Sequence, residues 1–239
     1  MNNTYIMNSL TYPNGDKKPK YRGYIHKLAL YIVPMLYSLI QLPYCKSILS
    51  IIVGIIYVSA PIVLYYMSSY FHMNTKTDEE HYKWQKRDYN GIYYYIFVTN
   101  IGFSILLYLS NEYMNYGIMM FIINIMIFGI GVIRNNNNKS NSDKKDIVHQ
   151  VIAGVLVSLS GIFIYPITKL LGIDVLIMMI VIWINNGIGL WLYNNENVLN
   201  SVEDIFGHHE WFHMTTVTGE IASWYYKYAI CAQLNNIFV

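Results

Sequence analysis

The sequence predicts an all-α membrane protein, a seven-transmembrane helical bundle with its N-terminus cytosolic, and three observations carry that expectation. Hydrophobic residues make up 54% of the 239-residue chain and charged residues only 13%, too apolar for a soluble domain with a charged shell. The apolar residues are gathered in continuous blocks of roughly 20, the length of a helix that crosses a bilayer core. Lysine and arginine are shared unequally between alternate loops, which orients the chain.

The blocks fall at about 26–42, 47–71, 90–110, 113–133, 148–168, 173–193 and 207–230. They are unbroken runs, not the short alternating segments of a barrel, so each must close its backbone hydrogen bonds within a helix. The first block is short and contains Pro34. Loops of a few residues after the first, third and fifth blocks make those neighbours antiparallel hairpins. The expected organisation is a cytosolic N-terminal tail over 1–25 and a single membrane domain over 26–239. One side receives Lys17, Lys18, Lys20, Arg22 and Lys27, then Lys76, Lys83, Lys86 and Arg87, then Arg134, Lys139, Lys144 and Lys145; the other receives Lys46, Lys169 and Lys227.

A net charge of +2 with no basic stripe argues against nucleic acid as a partner and leaves membrane lipid. Cys45 and Cys231 lie near block ends without CxxC spacing, so no disulfide framework is expected. MNNTYIMNSLTYPNG lacks the apolar run and cleavage site of a signal peptide. Asn135 to Asn138 form a low-complexity tract, read as a solvated linker. Asn100, Asn124, Asn185 and Asn186 fall inside blocks, where amides are expected to bond between helices. Gly129, Gly131, Gly187 and Gly189 form no GxxxG pattern, so an oligomeric state is not legible.

Antiparallel alternation brings the end of the second span and the starts of the third and seventh to one membrane face. His72 ends the second, Asp88 opens the third, and His209 and His213 open the seventh. The last two are four residues apart and share a helix face, as two ligands of one ion require. Three imidazoles make a three-histidine zinc site with a fourth tetrahedral position free for water, the pattern of a catalytic metal. Asp88, and Ser68 one turn before His72, would bond that water or a ligating ring. Each residue taken alone has a plainer reading, as a snorkelling histidine or a serine bonded to its own turn. His26, His81, His149 and His208 read as loop or interface residues, His208 also as a second layer behind a ligand.

His209, Glu210 and His213 also spell HExxH, the zinc motif of metalloproteases. Thr216 and Gly219 stand where a metzincin has glycine and histidine, and Glu220 follows too closely on the same helix to close around the ion. His72 is therefore the expected third ligand. Glu210 is either a base near the metal or a carboxylate placed at the helix start by the dipole.

RGYIHK around Arg22 to Lys27, SSYFH with Ser68 and His72, RDYNGI with Asp88, and FGHHEWFH with His209 and His213 occur in that order along nearly the whole chain. Together they resemble the haemolysin III family and its relatives the progestin and adipoQ receptors, in the wider group that includes alkaline ceramidases. The resemblance implies a seven-helix bundle with a cytosolic N-terminus and zinc held by His72, His209 and His213 near the cytosolic face. It further implies that Asp88 and Ser68 stand beside the metal. Members of the group are linked to amide-lipid hydrolysis, ligand reception and pore-forming lysis of red cells. The expected function is a zinc-dependent hydrolase of amide- or ester-linked lipids, with Asp88 accepting a proton and Ser68 positioning the water. The alternatives are a cytolytic pore whose zinc is structural, and a seven-helix receptor. Tyr89-Asn90 and Thr99-Asn100-Ile101-Gly102 depart from the His-Ser and proline turn common in the family, which alters the expected pocket wall.

Overall fold

The computed structural model describes residues 18–137, 147–195 and 205–237, which form helices and no strand. Helix α1 (Tyr24–Leu36) runs on through a π turn (Tyr37–Gln41) and a 3-10 turn (Leu42–Tyr44). Pro34 has no N–H to donate back along the helix, and the ladder widens just beyond it. The result is still one apolar span of 21 residues. α2 (Ile48–Asn74) starts at a reciprocal cap: Ser50 N donates to Ser47 Oγ and Ser47 N to Ser50 Oγ, both at 3.1 Å.

α3 (Asp78–Leu109) begins well before the apolar block at 90. Thr77 accepts from Glu80 N at 3.2 Å, and Asp78, Glu79 and Glu80 fill the first turn, where the helix dipole favours negative charge. α4 (Met114–Asn137) folds back on α3 so closely that a Cβ on Gly117 would lie 2.3 Å from Tyr108 N. The fifth block is two helices, α5 (Ile147–Ile162) and α6 (Ile164–Leu171), bent by 56° at Phe163. Pro166 cannot donate to the Ile162 carbonyl, which opens the ladder there. α7 (Ile173–Asn194) and α8 (His208–Asn236) complete the bundle.

Five of these helical stretches are long and apolar enough to cross a membrane, six if the bent α5–α6 pair is one span. α8 has 29 residues but is not apolar enough by the same measure. Residues 1–17 of the expected tail, Lys139, Lys144 and Lys145, and the end of the asparagine tract at Asn138 lie outside the described residues.

The bundle turns large apolar side chains outward and buries polar ones beside its hydrophobic core, an arrangement suited to a lipid solvent. Ile48, Ile130, Ile133 and Ile184 are exposed, whereas Ser68, Asn124, Glu210 and Glu220 are buried. Amides within the blocks join helices: Asn100 Nδ2 donates to Leu156 O (2.9 Å), Asn124 Nδ2 to Phe97 O (2.9 Å) and Asn185 Nδ2 to Thr215 O (2.7 Å).

Lys227, counted above among the loop charges, is in fact completely buried on α8. Its Nζ donates to both Glu220 oxygens at 2.9 and 2.8 Å, and both side chains are 0% exposed. Tyr37 Oη donates to Glu220 Oε1 at 2.6 Å, and Tyr95 Oη and Ser223 Oγ bond Oε2. The ammonium also lies over the rings of Tyr37, Tyr57 and Tyr95 at 5.4, 5.7 and 5.0 Å. Glu220 is thus occupied two turns beyond His213, facing Lys227. Removing one partner strands the other charge in a medium that cannot solvate it. Lys227→Met and Glu220→Gln should each cost about 3–5 kcal/mol, while the double variant should recover most of the loss; thermal unfolding in detergent checks this.

Candidate metal centre

The last turn of α2 carries His72, the third turn of α3 carries Asp88, and the first two turns of α8 carry His209 and His213. All four side chains, with Ser68, line one cavity of about 800 Å³. One ring nitrogen from each of His72, His209 and His213 lies within 4.8 Å of the other two, a grouping that can hold a metal ion. His72 Nε2 and His209 Nε2 are 3.2 Å apart. Two imidazole nitrogens on one tetrahedral zinc stand about 3.3–3.4 Å apart, from bond lengths of about 2.0–2.1 Å. That pair fits the ion as it stands, and His213 Nδ1 is buried with no hydrogen-bond partner.

Asp88 Oδ2 is 4.0 Å from His72 Nε2, and Ser68 and Asp88 line the cavity together. Among the described residues lining the cavity, Asp88 is the only carboxylate. The cavity runs from the histidines past Tyr95 and Thr99 to Asn100 and Tyr226, and includes α5 and α7 residues in its wall. His208, expected as a loop residue or a second layer, has its ring 6.3 Å from that of His209, edge on.

Glu210 is fully buried. Its Oε2 accepts from Gly207 N at 2.7 Å and Oε1 faces Arg22 Nη1 at 3.5 Å. Of the two readings of the HExxH glutamate, the helix-start carboxylate is the geometry observed. Arg22 bridges to the histidines, since its Nε donates to His72 Nδ1 at 3.3 Å. With an ion held at Nε2, His72 would carry its ring proton on Nδ1 and no longer accept from Arg22, whose guanidinium would keep Glu210 as an acceptor.

The residue that the sequence did not single out is His26. It is buried against the centre, not at an interface. Its ring stacks on His213 with centroids 3.9 Å apart and planes 11° off parallel. Thr216 Oγ1 donates to His213 O at 2.8 Å, so it must accept from His26 Nε2 at 2.7 Å. His26 therefore holds its proton on Nε2. Two stacked rings aim their in-plane lone pairs in parallel and cannot converge on one ion, so His26 braces the His213 ring and is no fourth ligand. Its only sequence signal was its place in RGYIHK.

Gly23, three residues before His26, has φ +78° and packs on α2, where an added Cβ would lie 2.8 Å from His72 Cβ. Gly23→Ala combines a left-handed backbone with that clash. It should destabilise the protein by about 1–3 kcal/mol and lower metal retention, measured by thermal unfolding and by metal content after dialysis.

A sequence profile described as haemolysin-III related matches residues 15–224, and the chain belongs to that family. With its apolar helices, the membership makes it a multipass integral membrane protein. None of the curated proteins compared with the chain matches it.

Proposed function

We propose that this haemolysin-III related protein binds zinc through His72, His209 and His213 and hydrolyses an amide- or ester-linked lipid. The observation that carries the reading is the convergence of three imidazoles and one carboxylate, Asp88, at one end of a cavity of about 800 Å³. Neutral imidazoles suit zinc over the oxygen-seeking cations. Zinc, when bound, supplies a Lewis acid that brings the pKa of a water toward neutrality.

The protein's own groups do the rest. Asp88 Oδ2 takes up a proton beside His72 and passes it to the leaving group, while the Ser68 hydroxyl holds the carboxylate in place. His26 braces the His213 ring from behind. Leu64, Phe103, Met179 and Ile182 line the cavity and offer an acyl chain an apolar wall.

In this reading α8 is the seventh span. Its length suffices, and its ionic side chains meet partners inside the bundle instead of lipid. The N-terminus lies in the cytosol, together with the histidine end, because Lys76, Lys83, Lys86, Arg87 and Arg134 gather there. Removing Lys227 from the opposite side leaves Lys46 and Lys169, which strengthens the bias.

Purified protein should carry about one zinc per chain, and His72→Ala should lose it; full zinc in that variant would defeat the ligand set. Asp88→Ala should keep zinc while hydrolysis of amide and ester lipids falls about 10²–10⁴-fold. A lytic protein with a structural metal gives the opposite pattern: liposome leakage unchanged in Asp88→Ala, with no hydrolysis in either protein.

A further inference from the structure

The chain has two cysteines, 186 residues apart by number, and the fold brings them to one place at the end of the bundle away from the histidines. Cys45 lies in the turn after the 3-10 segment and Cys231 near the end of α8. Both are buried and neither is bonded to the other. Gln41 touches both: its Nε2 donates to Cys231 Sγ at 3.5 Å, and its carbonyl accepts from Cys45 Sγ at 3.7 Å.

The backbone on either side of Cys45 is pinned to α8. Asn235, one turn beyond Cys231, accepts from Lys46 N at 2.8 Å, Ser47 N at 3.1 Å and Ser50 Oγ at 2.6 Å. Its Nδ2 donates to Tyr44 O at 2.8 Å, and Ser47 Oγ donates to Leu234 O at 3.1 Å. A cysteine flanked by residues held this way cannot drift from a thiol one turn back along the same helix. Polar clamps and thiols thus form one built contact.

We propose that Cys45 and Cys231 form a disulfide that staples the α1–α2 turn to the end of α8. The partner in the reaction is a thiol–disulfide oxidant. A thiolate of the pair attacks the oxidant's disulfide and expels one thiolate; the second cysteine attacks the mixed disulfide, closes the Cys45–Cys231 bond and releases the other. Two electrons and two protons pass to the oxidant, which becomes a dithiol. Burial of both sulfurs places the exchange during folding, before the turn closes on α8. The proposal rests on the orientation given above, because only a non-cytosolic end meets an oxidising compartment.

The test uses the full-length wild-type protein with a C-terminal epitope. Cells are quenched with N-ethylmaleimide, and the denatured protein is labelled with a maleimide polymer with or without prior reduction. The expected result is no shift before reduction and two labels after it, with the epitope protected from protease in sealed vesicles. Reduction should also lower the melting temperature by about 5 °C or more, and Cys45→Ser should not respond to reductant. Two thiols blocked at the quench, with the epitope protected, overturn the staple and leave the orientation intact. Two thiols blocked with the epitope cleaved overturn the orientation, and the staple with it.

Discussion

The Glu220–Lys227 pair is the interaction on which the arrangement depends. Both charges are 0% exposed, and in a bilayer each would cost several kcal/mol without its partner. They lie on one helix, seven residues apart, so the pair by itself fixes nothing beyond α8. The tyrosines make it a joint. Tyr37 on the α1 extension and Tyr95 on α3 donate to the carboxylate, and Tyr57 on α2 lends its ring face to the ammonium. α8 can turn about its axis only by stripping those donors.

The same four helices build the histidine centre. α1 supplies His26, α2 supplies His72 and Ser68, α3 supplies Asp88, and α8 supplies His209 and His213. Positions 209, 213, 220 and 227 follow one another at intervals of four and seven and so form a single stripe. Fixing the lower half of that stripe aims the upper half. The ring stack of His26 on His213 and the Arg22 contacts then adjust side chains whose backbones are already placed. A site meant to hold an ion needs this sort of preorganisation, because loose ligands lose affinity to the entropy of ordering them.

Much of this was legible in the residues. Continuous apolar blocks predicted helices, and alternation of spans put His72 beside a pair at i, i+4 that only a helix brings onto one face. What escaped were side chains whose partners hydropathy does not register, and cap and break signals at the edges of or inside apolar blocks. Lys227 looked like a loop charge because hydropathy counts residues and does not see a carboxylate two turns away or three tyrosines on other helices. His26 looked interfacial because nothing local announces a ring stacked on it from α8. The early start of α3 was written in Thr77 and three acids, a cap signal that an apolar-block criterion ignores. The bend in α5–α6 was present as Pro166 and was hidden by the uniform hydropathy around it.

α8 is a helix that a bilayer would reject if offered alone, since its polar stripe has no lipid counterpart. Its partners precede it: Tyr37, Tyr57 and Tyr95 all lie on helices made earlier in synthesis. With α8 as a span, as proposed above, the order of helices along the chain lets the nascent bundle prepare a polar berth before α8 is made. A rearranged gene that placed α8 ahead of α1 would encode the same contacts and yet deliver the charges to a membrane with nothing waiting for them.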